Sequence, residues 1–452
     1  MLPVVTPEEM GAIDAAAPEP VDVLIQRAGA AVARAAIRML GGTYGRTVVV
    51  VAGKGNNGND GRVAARLLAA KGVKVTVLAA DTAPDVLPAS DLVIDAAYGT
   101  GFRGEWSSPR APGLPVLAVD IPSGVDGLTG AAGAGVLPAS RTVTFAAAKP
   151  GLLFPPGREL AGEVEVVDIG LDTSRARVHL VEPSDVSGWW RPRAADAHKW
   201  NAAVFAVAGS PGMTGAAHLC VAAAMRAGAG IVHLASPGVV TDHGIPTEVV
   251  GHFLPSLGWA KEVLAALSRY KALVIGPGVG REDSTAAEAR RLALEADLPV
   301  VIDGDGLFAM AWNPEGAVSL LRRRTAPTVV TPHDGEYGLL TGGRPGADRI
   351  AACRRLARDS GAVVLLKGHT TTVAEPGGRV LLVTSGDSRL ATAGTGDVLS
   401  GIIAALLARG IPPLEAAAAG AWIHGRAGQR TAPVGMVASD LLTHIPAVLG
   451  EL

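Results

Sequence analysis

Cysteine is nearly absent: the 452 residues contain two, Cys220 and Cys353, far apart and in apolar, helical-looking stretches. That excludes a disulfide framework and a zinc ligand set, and it fits a reducing compartment. No apolar run approaches the roughly 20 residues of a membrane span. Glu8 and Glu9 of the opening MLPVVTPEEM stand where a secretory leader needs basic residues. An excess of one charge is lacking too, since 40 basic and 42 acidic residues leave a net charge of -2. Neither a nucleic-acid surface nor an anionic-membrane surface is expected, and any phosphate must be held by local geometry. No Walker A sequence occurs, which argues against a P-loop nucleotidase. These absences leave small molecules as the expected partners and the cytoplasm as the expected location.

What is present is globular in kind. Hydrophobic residues make up 48% and charged residues 18% of the chain, tilted toward Ala, Val and Gly, so disorder is not expected. The length exceeds the roughly 250 to 300 residues at which one core stops growing, so two domains are expected. From residue 47 to 119, Val-rich runs (TVVVVAG, VKVTVLAAD, DLVIDAAYG, LPVLAVD) alternate with Ala-rich amphipathic stretches. That pattern belongs to a parallel sheet with crossover helices. It lapses at residues 172–197 and resumes at Ala203 with VFAVAGS, GIVHLAS, ALVIGPG, PVVIDGD, TVVTPH and VVLLKG. The junction placed there gives domains of 1–185 and 195–452, both α/β. Ligands in open α/β sheets sit beyond the carboxyl ends of strands, so the Gly, Asp, His and Lys that close these runs mark candidate sites.

In the first half, GKGNNG (residues 53–58) follows a strand and opens a helix, with Asp81 ending the next strand. Gly53 and Gly55 permit a tight turn, Gly58 permits close helix packing, and the helix start offers free N–H groups to a phosphate. Taken simply this is a dinucleotide fingerprint. A ligand-free Gly-rich turn is the plainer alternative. Asn56, Asn57 and Asp60, however, place polar side chains where a common Rossmann turn carries small or apolar ones. Downstream, IDAAYGTGFRGE and AVDIPSGVDGLTG bring Asp95, Asp120 and Ser123 to successive strand ends, and AAAKPGL adds Lys149. One Asp after a strand is more often a cap than a catalyst. Several on one sheet edge reverse that preference.

This set resembles the NAD(P)HX epimerase family, whose loop reads GNNGGDG and whose later elements read like GTGF, DIPSG and AxKPGL, over residues 8–171. The resemblance implies a Rossmann-like three-layer α/β/α domain and a potassium ion bound by Asn57, Asp95 and Ser123. It implies that Asn56, Asn57, Gly58, Asn59, Asp60, Gly99, Thr100, Gly101, Phe102, Arg103, Gly104, Glu105 and Asp120 contact the hydrated cofactor. Oxygen donors suit a hard cation. Asp120 and Lys149 are the candidates for proton transfer during inversion at C6. Asn59 replaces the family's Gly, and a Cβ there is costly if the position needs positive φ. Asn tolerates that conformation well, so weakened function is expected at this site.

In the second half, AGTGDVLSGIIAALLARG sets Gly394 and Gly396 around Thr395 directly before a helix. Converging N–H groups and the helix dipole favour an anion there. Asp397 in the first turn is a normal stabilising choice, yet beside such a cradle it can also take a proton from an attacking hydroxyl. The arrangement resembles the ribokinase-like fold. HKWNAAVFAVAGSPGMTGAAHL, GPGVG, TPHDGE and KGHTT narrow the resemblance to the NAD(P)HX dehydratase family over residues 198–449. It implies that Lys367, Gly368, His369, Thr370, Thr371 and Gly396 bind ADP or ATP with Mg²⁺. Ala216, Gly280, His333 and Asp397 would then contact the hydrated substrate. Trp200 replaces a Gly of the family's HKG opening, and altered substrate access near Lys199 is expected from its bulk. The two resemblances together imply epimerisation of R and S forms of NADHX and NADPHX, dehydration of the S form, and a homo-oligomer. A ribokinase-like vitamin kinase fused to an inactive Rossmann-like binding domain is the rival reading, and it requires a stable phosphorylated product.

Overall fold

The structure, a computed structural model, describes residues 1–104, 106–190, 192–240 and 244–452. The chain divides into two compact units, Leu2–Val178 and His179–Leu452. No helix among the described residues is long and apolar enough to cross a membrane.

The first helix of the first unit is α1 (Pro7–Ala15), entered through a capping box in which Thr6 and Glu9 satisfy each other's backbone N–H and Pro7 takes the first helical position. Helix α2 (Val21–Leu40) ends on left-handed Gly41. Then follow β1 (Thr47–Ala52), α3 (Asn56–Ala69), β2 (Lys74–Ala79), β3 (Leu92–Ala96), β4 (Val116–Val119), β5 (Arg141–Phe145) and β6 (Glu163–Val167). The sheet order is β2-β1-β3-β4-β5-β6, and every pairing is parallel. Strands β3 and β4 are buried along their whole length, as the near-continuous apolar runs require. Helices α2 and α3 cover one face with Leu24, Val32, Ala64 and Leu68. The other face is covered by Ala80, Leu87, Ala111 and Ala139 from the connections between strands. The chain leaves β1 for β2 on one side and returns to β3 on the other, so a crevice opens between the carboxyl ends of β1 and β3.

The second unit contains β7 (Ala203–Val207), α4 (Thr214–Arg226), β8 (Ile231–Pro237), β9 (Val250–Leu254), β10 (Ala272–Ile275), β11 (Val300–Ile302), β12 (Thr328–Val330), α5 (Asp334–Thr341), α6 (Arg349–Ser360), β13 (Val363–Leu366), β14 (Thr371–Ala374), β15 (Val380–Val383), α7 (Thr395–Ala408) and α8 (Pro413–Gln429). These strands lie in the order β15-β14-β13-β12-β11-β10-β7-β8-β9. Pairings from β13 to β9 are parallel, whereas β14 is antiparallel to both its neighbours. Helix α7 is apolar almost all round, so it is buried on nearly every side and packs on α4 and α8. Here the direction of winding reverses between β7 and β10.

Candidate active sites

In the first unit, a cavity of about 460 Å³ opens at the β1/β3 crevice. It is lined by Asn56, Asn57, Asp60, Gly99, Thr100, Gly101, Phe102, Asp120 and Lys149. The loop geometry explains the glycines: a Cβ on Gly58 would lie 2.0 Å from the carbonyl oxygen of Gly53. One on Gly99 would lie 3.0 Å from Asp120 Oδ2 and 3.3 Å from Asn57 Oδ1. Arg103 and Gly104 are not part of the lining. Glu105 lies outside the described residues. Asp81 does not line it either, being ion-paired at the surface with Lys54 at 2.9 Å.

Asp120 is held in the left-handed region at φ 67°, a conformation that costs energy for a residue with a Cβ and tends to accompany functional constraint. Lys149 Nζ lies 2.8 Å from its Oδ1, Thr144 Oγ1 donates to the same oxygen at 3.0 Å, and the Thr100 amide donates to Oδ2 at 2.9 Å. Burial pushes the carboxyl up, but the Lys149 charge and these hydrogen bonds outweigh it and hold Asp120 below its ordinary value. Lys149 is 1% exposed and is held by Thr144 Oγ1 and the carbonyls of Phe145 and Ala147. Asp60 sits in the same cavity without such help. Burial, then the charges of Asp120 and Asp14, push its carboxyl up to about 8.

Asp95 and Ser123 meet directly. The Ser123 amide and hydroxyl donate to Asp95 at 2.9 and 2.6 Å, and the Ser123 hydroxyl accepts from the Tyr98 amide at 2.8 Å. Asp95 is buried, its carboxyl raised by that burial against these bonds, and no cationic side chain among the described residues pairs with it. Both amide atoms of Asn57 are buried without a hydrogen-bond partner. An oxygen-ligated monovalent cation would supply the counter-charge that Asp95 lacks and take Asn57 Oδ1 as a ligand, so these oxygen donors fit a cation such as potassium. Asn59 lies in the first turn of α3 and is not among the positive-φ residues. The conformational cost anticipated there does not arise, because the helix begins at Asn56.

In the second unit, α7 starts directly after left-handed Gly394, and the amides of Gly396 and Asp397 have no acceptor among the described residues. These are the free donors of a helix start. Lys367 Nζ lies 2.6 Å from Asp303 Oδ1 and 3.8 Å from Glu336 Oε2. Thr331 and Ser400 hydroxyls donate to Asp303, each at 2.7 Å. Asp303 is buried, which would raise it, but Lys367 and the two hydroxyls hold it low. Burial, then the Asp303 charge, push Asp397 up to about 7 against Lys367, with Asp305 and Glu336 adding to the rise. Carboxylates outnumber cations here, which fits a divalent cation arriving with phosphate oxygens.

His333 caps α5: its Nδ1 accepts from the amides of Gly335 and Glu336 at 2.9 and 3.2 Å. Gly280 donates its amide to Asp305 at 3.1 Å, and Ala216 faces the Gly278 turn, so both flank the β7/β10 reversal. In KGHTT, Gly368 and His369 are exposed and Thr370 is buried. Arg349 fixes the turn by donating to the Lys367 carbonyl at 2.7 Å.

Trp200 is elsewhere. It precedes β7 at the amino end of the strand, with Arg269 3.8 Å above its ring and His233 and Tyr270 against it. The expected effect on substrate access is therefore not supported, since the candidate site lies at the opposite end of the sheet. Sequence reasoning missed Asp14 in the first cavity and Thr144 behind Asp120, and singled out neither Asp303 nor Glu336 at the second site, although PVVIDGD and TPHDGE contain the latter two.

Comparison with known proteins follows the same division. The family described as NAD(P)H-hydrate dehydratase matches residues 204–448, and that described as YjeF-related protein N-terminus matches residues 21–88 and 79–151. The bifunctional NAD(P)H-hydrate repair enzyme of Mycobacterium leprae is 38% identical, covering 96% of this chain and 96% of its own length. That of Moorella thermoacetica is 36% identical over 99% and 97%. Among solved structures, the ADP/ATP-dependent NAD(P)H-hydrate dehydratase from Bacillus subtilis, co-crystallised with ATP/Mg²⁺, is 28% identical. It covers 60% of this chain and 97% of its own, with a TM-score of 0.52.

Proposed function

Because the chain belongs to the bifunctional NAD(P)H-hydrate repair enzymes, we propose that its two carboxylate–lysine sites divide the labour: residues 1–185 epimerise C6 of NADHX and NADPHX, and residues 195–452 dehydrate the S form. The observation that carries this reading is that each unit sets acids beside one lysine at the carboxyl edge of its sheet, Asp120 with the buried Lys149 and Asp303 with the part-buried Lys367 near Asp397. In the first site Asp120, paired with Lys149, takes part in the proton transfer that inversion at C6 requires. Asn57, Asp95 and Ser123 would hold potassium, which supplies the counter-charge that Asp95 lacks.

In the second site the C6 hydroxyl is a poor leaving group until phosphorylated. Asp397 accepts its proton as it attacks the terminal phosphate of ADP or ATP, and the amides of Gly396 and Asp397 stabilise the charge that develops. The ring nitrogen then expels phosphate, and loss of a C5 proton restores NADH or NADPH. Mg²⁺ would neutralise phosphate charge. Gly368 to Thr371 form the remaining nucleotide wall, and Ala216, Gly280 and His333 the substrate wall. The vitamin-kinase rival is not favoured, because relatives matched over nearly the whole chain are named bifunctional NAD(P)H-hydrate repair enzymes.

The cytoplasm is the location we propose. A homo-oligomer is the assembly we propose, with Phe253 and Leu257, each 63% exposed, as apolar surface for it. Light scattering of the purified chain tests that. The decisive assay for function supplies mixed epimers of hydrated NADH with ADP or ATP and follows the return of reduced-nicotinamide absorbance. Failure with both donors overturns the dehydratase reading. A stable phosphorylated product would restore the kinase.

A further inference from the structure

Four carboxylates and one lysine line the cavity of the first unit: Asp14 from α1, Glu19 before α2, Asp60 from α3, Asp120 beyond β4 and Lys149 beyond β5. Glu19 is paired with Arg27 and Asp14 is solvent-exposed, which leaves a single lysine to two acids largely withdrawn from water, Asp60 and Asp120, and it cannot hold both ionised. Lys149 is committed to Asp120 at 2.8 Å, and Thr144 and the Thr100 amide secure the same carboxylate, so Asp120 is the ionised member. Asp60 is 7% exposed and has neither an ion pair nor a hydrogen bond with a described residue. The nearby cations are engaged elsewhere. Arg62, on the same helix, donates to the Gly53 carbonyl at 2.9 Å and to Asn59 at 3.4 Å, and Arg27 of α2 grips Glu19 at 2.6 Å. Asp60 therefore faces only Asp14 and Asp120 as charged neighbours that perturb it, and both favour its neutral form.

Inversion at C6 needs this pair of opposites. The hydroxyl can leave only with a proton, and the water that replaces it on the other face must lose one. We propose that Asp60 is the general acid of epimerisation, protonating the departing C6 oxygen, while Asp120 is the base that receives a proton from the incoming water. This rests on the epimerase reading of the first unit. The ring nitrogen's lone pair forms the C6=N1 iminium as the C6–O bond breaks, and the oxygen leaves as water with Asp60's proton. A second water bonds to the opposite face of C6, and its proton goes to Asp120. Nothing is oxidised or reduced, and exchange with solvent returns the proton to Asp60.

The test follows pure R epimer to S by chromatography with the full-length chain, without nucleotide. Wild-type kcat/KM should fall as pH rises through about 8, the value to which Asp60 is pushed, because the acid must be protonated. Asp60→Asn should lose ~10²- to 10⁴-fold in kcat, with KM changed far less, and should lose the falling limb. Asp60→Glu should recover much of the rate and keep the limb. In ¹⁸O-water the S product should carry one labelled oxygen. A thermal melt of Asp60→Asn at or above that of wild type shows that the variant folds, as expected when a buried unpaired acid is removed. Raised KM with intact kcat would make Asp60 a binding contact only and overturn the proposal, as would a retained falling limb or retention of the original oxygen. A wild-type chain that fails to interconvert the epimers would instead bring down the epimerase reading itself.

Discussion

Asp397→Asn separates shape from charge at the second site. The carboxyl stands in the first turn of α7, where the helix dipole favours ionisation, yet burial and the charge of Asp303, aided by Asp305 and Glu336, push it up to about 7 against Lys367. The sign is that of a raised acid: protonated and inactive as a base below that value, ionised above it. With one titrating group, the ionised fraction is about a tenth at pH 6, about half at pH 7 and about nine-tenths at pH 8. The dehydratase kcat/KM should therefore rise about fivefold from pH 6 to 7 and less than twofold from 7 to 8. Asn keeps the size of the side chain but accepts no proton, so the variant should lose ~10²- to 10⁴-fold in rate and the rising limb with it. Nucleotide affinity should change little, because the Gly396 and Asp397 amides belong to the backbone. Absorbance of the reduced nicotinamide gives the rate, and nucleotide titration gives the affinity. A variant that keeps more than about a tenth of wild-type dehydration, or the same pH dependence, refutes the role given to Asp397.

Potassium should accelerate epimerisation more than lithium does, because Asp95 and Asn57 offer oxygen to a large cation, and Asp95→Asn should erase the difference; equal wild-type rates in both salts remove the ion from the reaction. Trp200→Gly restores the family's residue but removes a ring packed between Arg269, His233 and Tyr270, so it should cost roughly 2 to 4 kcal/mol in denaturant unfolding and leave the dehydratase KM unchanged. A changed KM would place Trp200 in the access path after all.

The parallel strands and their Gly, Asp and Lys endings were legible because buried strands write themselves as unbroken apolar runs and strand ends carry ligands. TVVVVAG became β1, and the loop that follows it does open a cavity. Residues that depend on the third dimension were not legible. Thr144 reaches Asp120 from inside β5, where nothing separates it from other strand threonines. Asp14 lies on α1, remote in sequence from every motif, and enters the cavity only because that helix is placed beside it. Asn59 misled for a related reason. A Gly in a family's loop suggests positive φ, but here the helix has already begun, and any residue can adopt its conformation. Trp200 misled because proximity in sequence to a motif lysine says nothing about which end of a strand a side chain occupies.

The two sites solve opposite proton problems, and this limits where they can work together. Epimerisation, with Asp60 as acid, weakens as pH rises through about 8, whereas dehydration, with Asp397 as base, weakens as pH falls through about 7. Given a mixture of epimers, potassium, Mg²⁺ and nucleotide, the chain should consume both R and S between those values. At pH about 6, with both epimers still equilibrating, consumption of the pair should slow together by about fivefold, because dehydration limits it. At pH about 9.5, S should disappear at the full dehydratase rate while R lags behind, because only a few per cent of Asp60 then carries its proton. Chromatographic ratios of R to S during turnover read this directly. An R to S ratio that stays constant at high pH while both are consumed would mean that inversion does not depend on a protonated acid near 8. The division of proton states between the two units would then be wrong.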